Sequence, residues 1–317
     1  MYNLIKKLVY ACFLFSAYFI TAQAQQVNFY KQVNTIQTEF SYLWKHKNDT
    51  FQLRFDINNE SLGQMPNSPI NYNQRLLQDW VYNEVMWVAK SIDPKKSKVK
   101  ITRKGDRLGF SVESRIPGEA QKILDNLTTA YETAKNDYWK KHFFVQYQSS
   151  NGANLIRHDH ARYAELSSME LKPIVRAIEK AQQNPGDKRE FVNIALSWIQ
   201  NIPYDRLDNR RTSNAAGLIS PRDLLLQNRG DCDSKSTLMA AILKAYNPQI
   251  KIEMVYLSDH ALLAISMPSK PQELTVTSQG VSYVLVEPTG PAQYEIGEVA
   301  PSTRQELRNS QFQLITL

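Results

Sequence analysis

The chain of 317 residues contains only two cysteines, Cys12 and Cys232. Cys12 lies in an apolar N-terminal stretch that we predict is removed, which leaves one thiol in the mature protein. A framework of intramolecular disulfides needs cysteines in pairs and is therefore excluded. The remaining Cys232 must be buried and inert, paired with another chain, or chemically employed.

Several other features are missing. Beyond residue 24 no stretch is long and apolar enough to cross a bilayer, and there is no internal repeat or low-complexity tract. No basic segment interleaved with aromatic residues is present, so nucleic acid is not an expected partner. Hydrophobic residues make up 42% and charged residues 22%, which is typical of a globular protein and argues against extensive disorder.

The first 24 residues have the composition of a secretory leader. Lys6 and Lys7 precede an apolar run over residues 8–20, and residues 22–24 (Ala-Gln-Ala) provide small side chains at the spacing that a signal peptidase accepts. We predict a signal peptide at residues 1–24 and an exported protein, periplasmic or secreted. The alternative is an uncleaved membrane anchor, although the run is short for a span of about 20 residues.

Net charge is positive but not extreme. The formal charge of +7 falls to +5 when Lys6 and Lys7 leave with the leader, which contains no acidic residue. A basic surface of this size is compatible with an anionic cell-envelope surface, but net charge alone does not identify a partner.

The segment after the leader predicts an N-terminal α+β domain at residues 25–160, whose role the sequence does not reveal. Residues 25–45 are interpreted as a short lead-in, and a Ser-Ser-Asn-Gly stretch at 149–152 marks the approach to a boundary. Hydrophobic periodicity predicts the elements between them: a strand at 50–57, a helix at 72–91, a hairpin at 98–112 and a helix at 119–141.

Residues 161–317 are predicted to form a second domain, also α+β. Helices are expected at 170–183 and 187–200, the second capped by Asp187. The His158-Asp-His160 stretch just before this domain raises the question of a metal. Two histidines need third and fourth ligands to hold zinc, none is evident, and we interpret the stretch as a polar linker with no metal.

The most informative segment begins a helix at Cys232. Gly230 permits a tight turn, Asp231 or Asp233 can cap the helix, and an apolar stripe follows at Leu238, Met239, Ile242, Leu243 and Tyr246. The positive end of a helix favours a thiolate and can also hold an oxyanion. The two flanking aspartates oppose thiolate formation, so a histidine partner is required.

Two later strands carry candidates for the partners of Cys232. His260 stands at the head of one apolar strand, and Glu287 stands at the end of another, just before Pro288. If the two strands pair antiparallel, these side chains meet, because neighbouring side chains on one face lie roughly 5 Å apart. The carboxylate could then orient the imidazole toward Cys232, in the manner of a catalytic triad.

These motifs resemble the transglutaminase-like superfamily, a branch of the papain-like cysteine enzymes, over roughly residues 165–295. The chain order of cysteine, histidine and acid is similar, as is a cysteine that opens a core helix after Gly-Asp. Further similar motifs are Ile-Pro-Tyr-Asp at 202–205, Ser-Pro-Arg-Asp-Leu-Leu-Leu at 220–226 and Glu-Pro-Thr at 287–289.

The sequence departs from the family pattern at two positions. The family usually places aspartate where this chain has Glu287. Where many members carry a side chain that stabilises the oxyanion, this chain has Gly217 within Ala-Ala-Gly-Leu at 215–218, and Tyr204 or a backbone amide is the candidate substitute.

The resemblance implies a core helix packed against an antiparallel sheet, and a triad of Cys232, His260 and Glu287. It implies cleavage or transfer of an acyl group from a peptide or protein substrate, with no cofactor; we favour hydrolysis because no separate amine-binding signature is evident. The alternative is a non-catalytic envelope binding or assembly module that retains the fold.

Overall fold

A computed structural model describes residues 25–105, 107–148, 152–207 and 217–317 of the chain. The predicted signal peptide, the first three residues of the Ser-Ser-Asn-Gly stretch, and Ala215 and Ala216 lie outside the described residues. The described part mixes helices with antiparallel sheets, which confirms the predicted α+β class at this level. No helix within it has the length and apolar character that crossing a membrane requires.

The helices and strands of the described residues follow one another in chain order. They are β1 (Gln25–Val33), β2 (Gln37–His46), β3 (Asp49–Asn58), α1 (Asn59–Gln64), α2 (Gln74–Lys90), β4 (Ser97–Lys104), β5 (Arg107–Ser114), α3 (Glu119–Lys141), β6 (Phe144–Gln148), β7 (Asn154–His158), α4 (His160–Ser168), α5 (Lys172–Ala181), α6 (Lys188–Asn201), α7 (Pro221–Gln227), α8 (Cys232–Tyr246), β8 (Ile252–Tyr256), β9 (Ala261–Ile265), β10 (Thr275–Ser278), β11 (Val281–Val286), α9 (Pro301–Arg308) and β12 (Gln313–Thr316).

The interpretation of residues 25–45 as a lead-in is wrong, because these residues form β1 and most of β2. With β3 they make an antiparallel sheet in the order β1-β2-β3. Phe40, Tyr42 and Trp44 alternate along β2 and are almost fully buried, while the residues between them are only partly buried. Alternation of this kind is the pattern of a strand with one face against a core, so the signal was present in the sequence.

A second sheet has the strand order β10-β11-β9-β8-β12, with every neighbouring pair antiparallel. All five residues of β9 are buried. Its Leu263 belongs to the large core that contains α8, whereas Leu262 faces a smaller core behind the sheet. Burial on both faces explains why β9 is continuously apolar instead of alternating.

The hydrophobic cores cut across the predicted division at residue 160. The large core joins the inward residues of β2 and β3 to α5, α6 and α8, and the Trp44 indole donates a 3.2 Å hydrogen bond to Ser197 on α6. A separate core packs α2 and α3 against the β4–β5 hairpin and β6. The first three strands therefore pack with the C-terminal part of the chain, while the two-domain division itself stays a prediction.

Gly290 offers a test of how the segment after β11 packs against α6. Its φ of 61° is left-handed, and a Cβ at this position would overlap the backbone oxygen of Gln200. We expect Gly290→Ala to lower the free energy of unfolding by about 3 kcal/mol or more, because backbone strain and a clash with backbone act together.

The matched control is Gly280→Ala, where φ is 77° but a Cβ would meet open space. Strain alone should cost about 1–2 kcal/mol there. Urea unfolding followed by circular dichroism measures both; equal losses in the two variants would contradict this account of Gly290.

Candidate active site

Cys232 is the first residue of α8, and the start of this helix is capped from within the protein. Asp231 is the N-cap, and its side chain accepts a 2.9 Å hydrogen bond from the Ser234 amide and another from the Ser234 hydroxyl. That hydroxyl in turn accepts the Ile219 amide at 2.9 Å. The predicted cap is therefore present, and the half-buried thiol of Cys232 projects from a first turn that tertiary contacts hold in place.

The structure brings His260 and Glu287 together at one end of the second sheet. The imidazole Nε2 lies 3.2 Å from Glu287 Oε1, and the other carboxylate oxygen accepts a 2.9 Å hydrogen bond from the Ala300 amide. Val286 pairs with Leu263, so the two side chains meet diagonally along the strands rather than directly opposite each other. The longer glutamate side chain spans this offset.

Cys232 lies beside this pair without being hydrogen-bonded to it. The amide of Ala261, the residue after His260, donates to the sulfur. The thiol itself donates to Asp233 Oδ1 at 3.6 Å. Within the described residues no hydrogen bond joins the Cys232 sulfur to the His260 ring. The histidine and the acid are thus in contact, while the cysteine faces an aspartate.

Electrostatics hold the Cys232 thiol in its protonated form. Burial, followed by the charges of Asp233 and Asp231, raises the pKa of Cys232 to about 12. Burial also raises the pKa of Asp231 to about 6 and that of Asp233 to about 7. Burial is the larger cause, and the two aspartates, which the sequence predicts will oppose a thiolate, add to it.

His160 belongs to this site, so its interpretation as part of a polar linker is wrong. It is 5% exposed, its Nδ1 lies 3.0 Å from Thr237 Oγ1 on α8, and its Nε2 lies 3.8 Å from Asp233 Oδ2. Burial lowers its pKa to about 3, which keeps the ring neutral at ordinary pH. Local sequence could not show this, because the contact joins residues far apart in the chain.

Lys235 on α8 is a further residue of the site, and no sequence motif indicates it. Its side chain is fully buried, and its amine donates to the carbonyl of Ile202 and, at 2.6 Å, to the carbonyl of Thr289. Burial lowers its pKa to about 7. The amine ties α8 to the segment that follows α6 and to the segment that carries Glu287, so one buried donor links three parts of the site.

Tyr204 lies close to Cys232, but its side chain is not part of the core. It is 47% exposed, and its backbone forms a parallel bridge with Gly230, just before the cysteine. Burial and the neighbouring Cys232 raise its pKa. Gly217 lines a cleft together with Asp233. No oxyanion donor is assigned by these contacts, and Ala215 and Ala216 lie outside the described residues.

A metal site does not emerge from these residues. His158 ends β7 and His160 opens α4, yet no group of three or more histidine, cysteine, aspartate or glutamate side chains suited to a metal occurs in the described parts of the chain.

Comparison with models of known protein families, with curated proteins and with solved structures finds no significant match in any of the three.

Asp233→Asn tests the electrostatic control of the Cys232 thiol. Removing this carboxyl removes a charge that raises the thiol pKa, so we expect alkylation of Cys232 by iodoacetamide at pH 8 to become about three- to tenfold faster. The gain should shrink below pH 7, because Asp233, with a pKa of about 7, is then largely protonated in the wild type.

Asp259→Asn is the matched control, since this exposed aspartate next to His260 is not among the groups that act on the thiol. Its alkylation rate should equal that of the wild type. A rate in Asp233→Asn that is unchanged or slower across pH 6–9 would contradict the assigned cause.

Proposed function

We propose that this chain is a transglutaminase-like cysteine enzyme that cleaves or transfers a peptide or amide acyl group, with hydrolysis favoured. The observation that carries the proposal is the contact between His260 and Glu287 at 3.2 Å, next to an amide that donates to the Cys232 sulfur. A buried carboxylate that orients an imidazole beside a nucleophile is the arrangement of a triad.

In the proposed mechanism, the ring of His260 carries the proton in every step. Glu287 occupies the Nε2 side of His260, so Nδ1 is the ring nitrogen available to take the thiol proton. The sulfur then attacks the carbonyl carbon, and an S–C bond forms as the carbonyl oxygen gains charge. His260 returns the proton to the leaving amine as the C–N bond breaks, and water activated by the same ring hydrolyses the thioester.

A thiol pKa of about 12 sets a condition on this mechanism. A preformed thiolate is scarce at neutral pH, so proton transfer to His260 has to accompany the attack, after the thiol leaves Asp233 Oδ1. Catalytic hydrogen bonds are often long or misaligned until substrate binds, which makes a resting contact between the sulfur and Asp233 compatible with turnover.

The proposed localisation and substrate class are inferred from the predicted signal peptide and from the positive net charge. Export after removal of residues 1–24, into the periplasm or the medium, would bring the basic mature protein to peptide or protein substrates at an anionic envelope surface. No cofactor is required by the proposed chemistry, because nucleophile, base and orienting acid are all side chains of this chain.

A second candidate function is a non-catalytic binding or assembly module with the same fold. The observation that favours it is the Cys232 thiol itself, which is held protonated and donates to Asp233 instead of to His260. An inert thiol of this kind needs no histidine.

Mutation of the three side chains separates the two candidates. Hydrolysis of a fluorogenic peptide library should vanish in Cys232→Ala and fall about 10²–10⁴-fold in kcat/KM for His260→Ala and Glu287→Gln, because each loses the base or its orientation. The control is Glu165→Gln, an exposed glutamate paired with Lys244, which should retain full activity.

Circular dichroism spectra and unfolding midpoints show whether each variant is folded. Turnover that persists in a folded Cys232→Ala protein would end the enzymatic proposal. Absence of turnover by the folded wild type across the peptide library would favour the binding module.

A further inference from the structure

A large cleft opens beside the candidate active site. Its volume is about 1010 Å³, and its walls come from the β6–β7 hairpin on one side and from β8 and the segment around β12 on the other. Asp233, the residue after Cys232, lies in its wall. Aromatic side chains and glutamines make up much of the lining, and Arg157 is the one arginine or lysine among the lining residues that the structure describes.

Arg157 is held in this cleft by two aromatic rings. Its guanidinium carbon lies 5.0 Å from the centroid of the Tyr147 ring and 5.6 Å from that of Tyr256. Tyr147 is on β6 and Tyr256 on β8, so the two walls of the cleft position one cation between them. Stacking of this kind fixes the plane of the guanidinium and leaves its edge for planar partners.

The edge of the guanidinium carries an unused donor. The Nη1 atom of Arg157 is buried and has no hydrogen-bond partner among the described residues. A buried donor without a partner is costly and calls for an explanation, and a ligand that accepts its hydrogen bond is one. Two parallel N–H groups of arginine match the two oxygens of a carboxylate.

The neighbouring charges do not already use this donor. Asp159 and Asp233 both act on Arg157 electrostatically, yet neither forms an ion pair with it in the described part of the chain. Asp159 accepts the Arg162 amide as the cap of α4, and Asp233 faces Cys232 and His160. Each acid therefore has another partner, whereas the guanidinium edge remains available.

The cleft contains both this cation and Asp233, the residue that follows the candidate nucleophile in the chain. Tyr256 contacts Arg157 through its ring and lies within electrostatic range of Asp233 and Cys232. A ligand whose anionic end bonded to Arg157 would share the cleft with Tyr256 and with Asp233, whose carboxyl accepts the thiol hydrogen bond.

We propose that Arg157 is a carboxylate-binding subsite, which anchors the C-terminal carboxylate or an acidic side chain of a peptide ligand in this cleft. The role of the anchor in placing an acyl group at Cys232 rests on the proposed function, but the binding itself does not.

Peptide binding to the Cys232→Ala protein tests the subsite without turnover. Three probes are titrated by calorimetry: acetyl-trialanine as the free acid, the same peptide as its amide, and acetyl-Ala-Glu-Ala as its amide. At least one probe with a carboxylate should bind roughly tenfold or more tightly than the trialanine amide, since hydrogen bonds to charged groups are strong. Which of the two binds identifies the source of the carboxylate.

Arg157→Gln in the same background should remove this preference, so that all three probes bind equally. Arg157→Lys keeps a charge but lacks the planar guanidinium and should retain only part of the preference. This variant is the substitute test if Arg157→Gln does not fold. The control is Arg162→Gln, whose guanidinium stacks on Phe143, lies outside the cleft lining and should leave the preference intact.

The comparison of acid and amide in the Cys232→Ala protein does not depend on whether an Arg157 variant folds. Equal affinity for all three probes there would overturn the subsite, as would an undiminished preference in folded Arg157→Gln. Because no step of this experiment requires catalysis, loss of the enzymatic proposal and loss of the subsite are separate results.

Discussion

The burial of the first turns of α8 is the constraint on which the rest of the site depends. Ser234, Lys235 and Thr237 are fully buried, and a buried polar group must find a partner inside the protein. Their partners are the cap at Asp231, the carbonyls of two distant segments, and His160. Satisfying one helix terminus thereby brings several distant segments to the surroundings of Cys232.

The same burial sets the chemical state of the site. Two carboxyl groups and a thiol, largely removed from water, favour their neutral forms, because burial penalises each charge and a charge on one opposes a charge on the others. The resting site is therefore a protonated cysteine beside carboxyls that titrate near neutrality. A ligand that enters the cleft and displaces Asp233 from the sulfur would change this balance and would thereby couple binding to the reactivity proposed for Cys232.

Residues that belong to or pack against three separate hydrophobic cores line the cleft. The large core fills the space between the first sheet, the central helices and one face of the second sheet, while the core of α2 and α3 is built apart from it. The β6–β7 hairpin joins the two regions, and its Tyr147 and Arg157 reach across to Tyr256 on β8. Stacking between rings and guanidinium therefore spans a gap that neither core closes.

The sequence by itself determined the features that depend on neighbours in the chain. The predicted span of α3, the cap and start of α8, and the strands that adjoin His260 and Glu287 all follow from periodicity, capping and turn residues. Only the tertiary structure decided that β2 packs with the C-terminal helices, that His160 meets Asp233, and that Asp233 takes the thiol hydrogen bond. These depend on burial and on contacts between residues remote in sequence, for which a local pattern carries no signal.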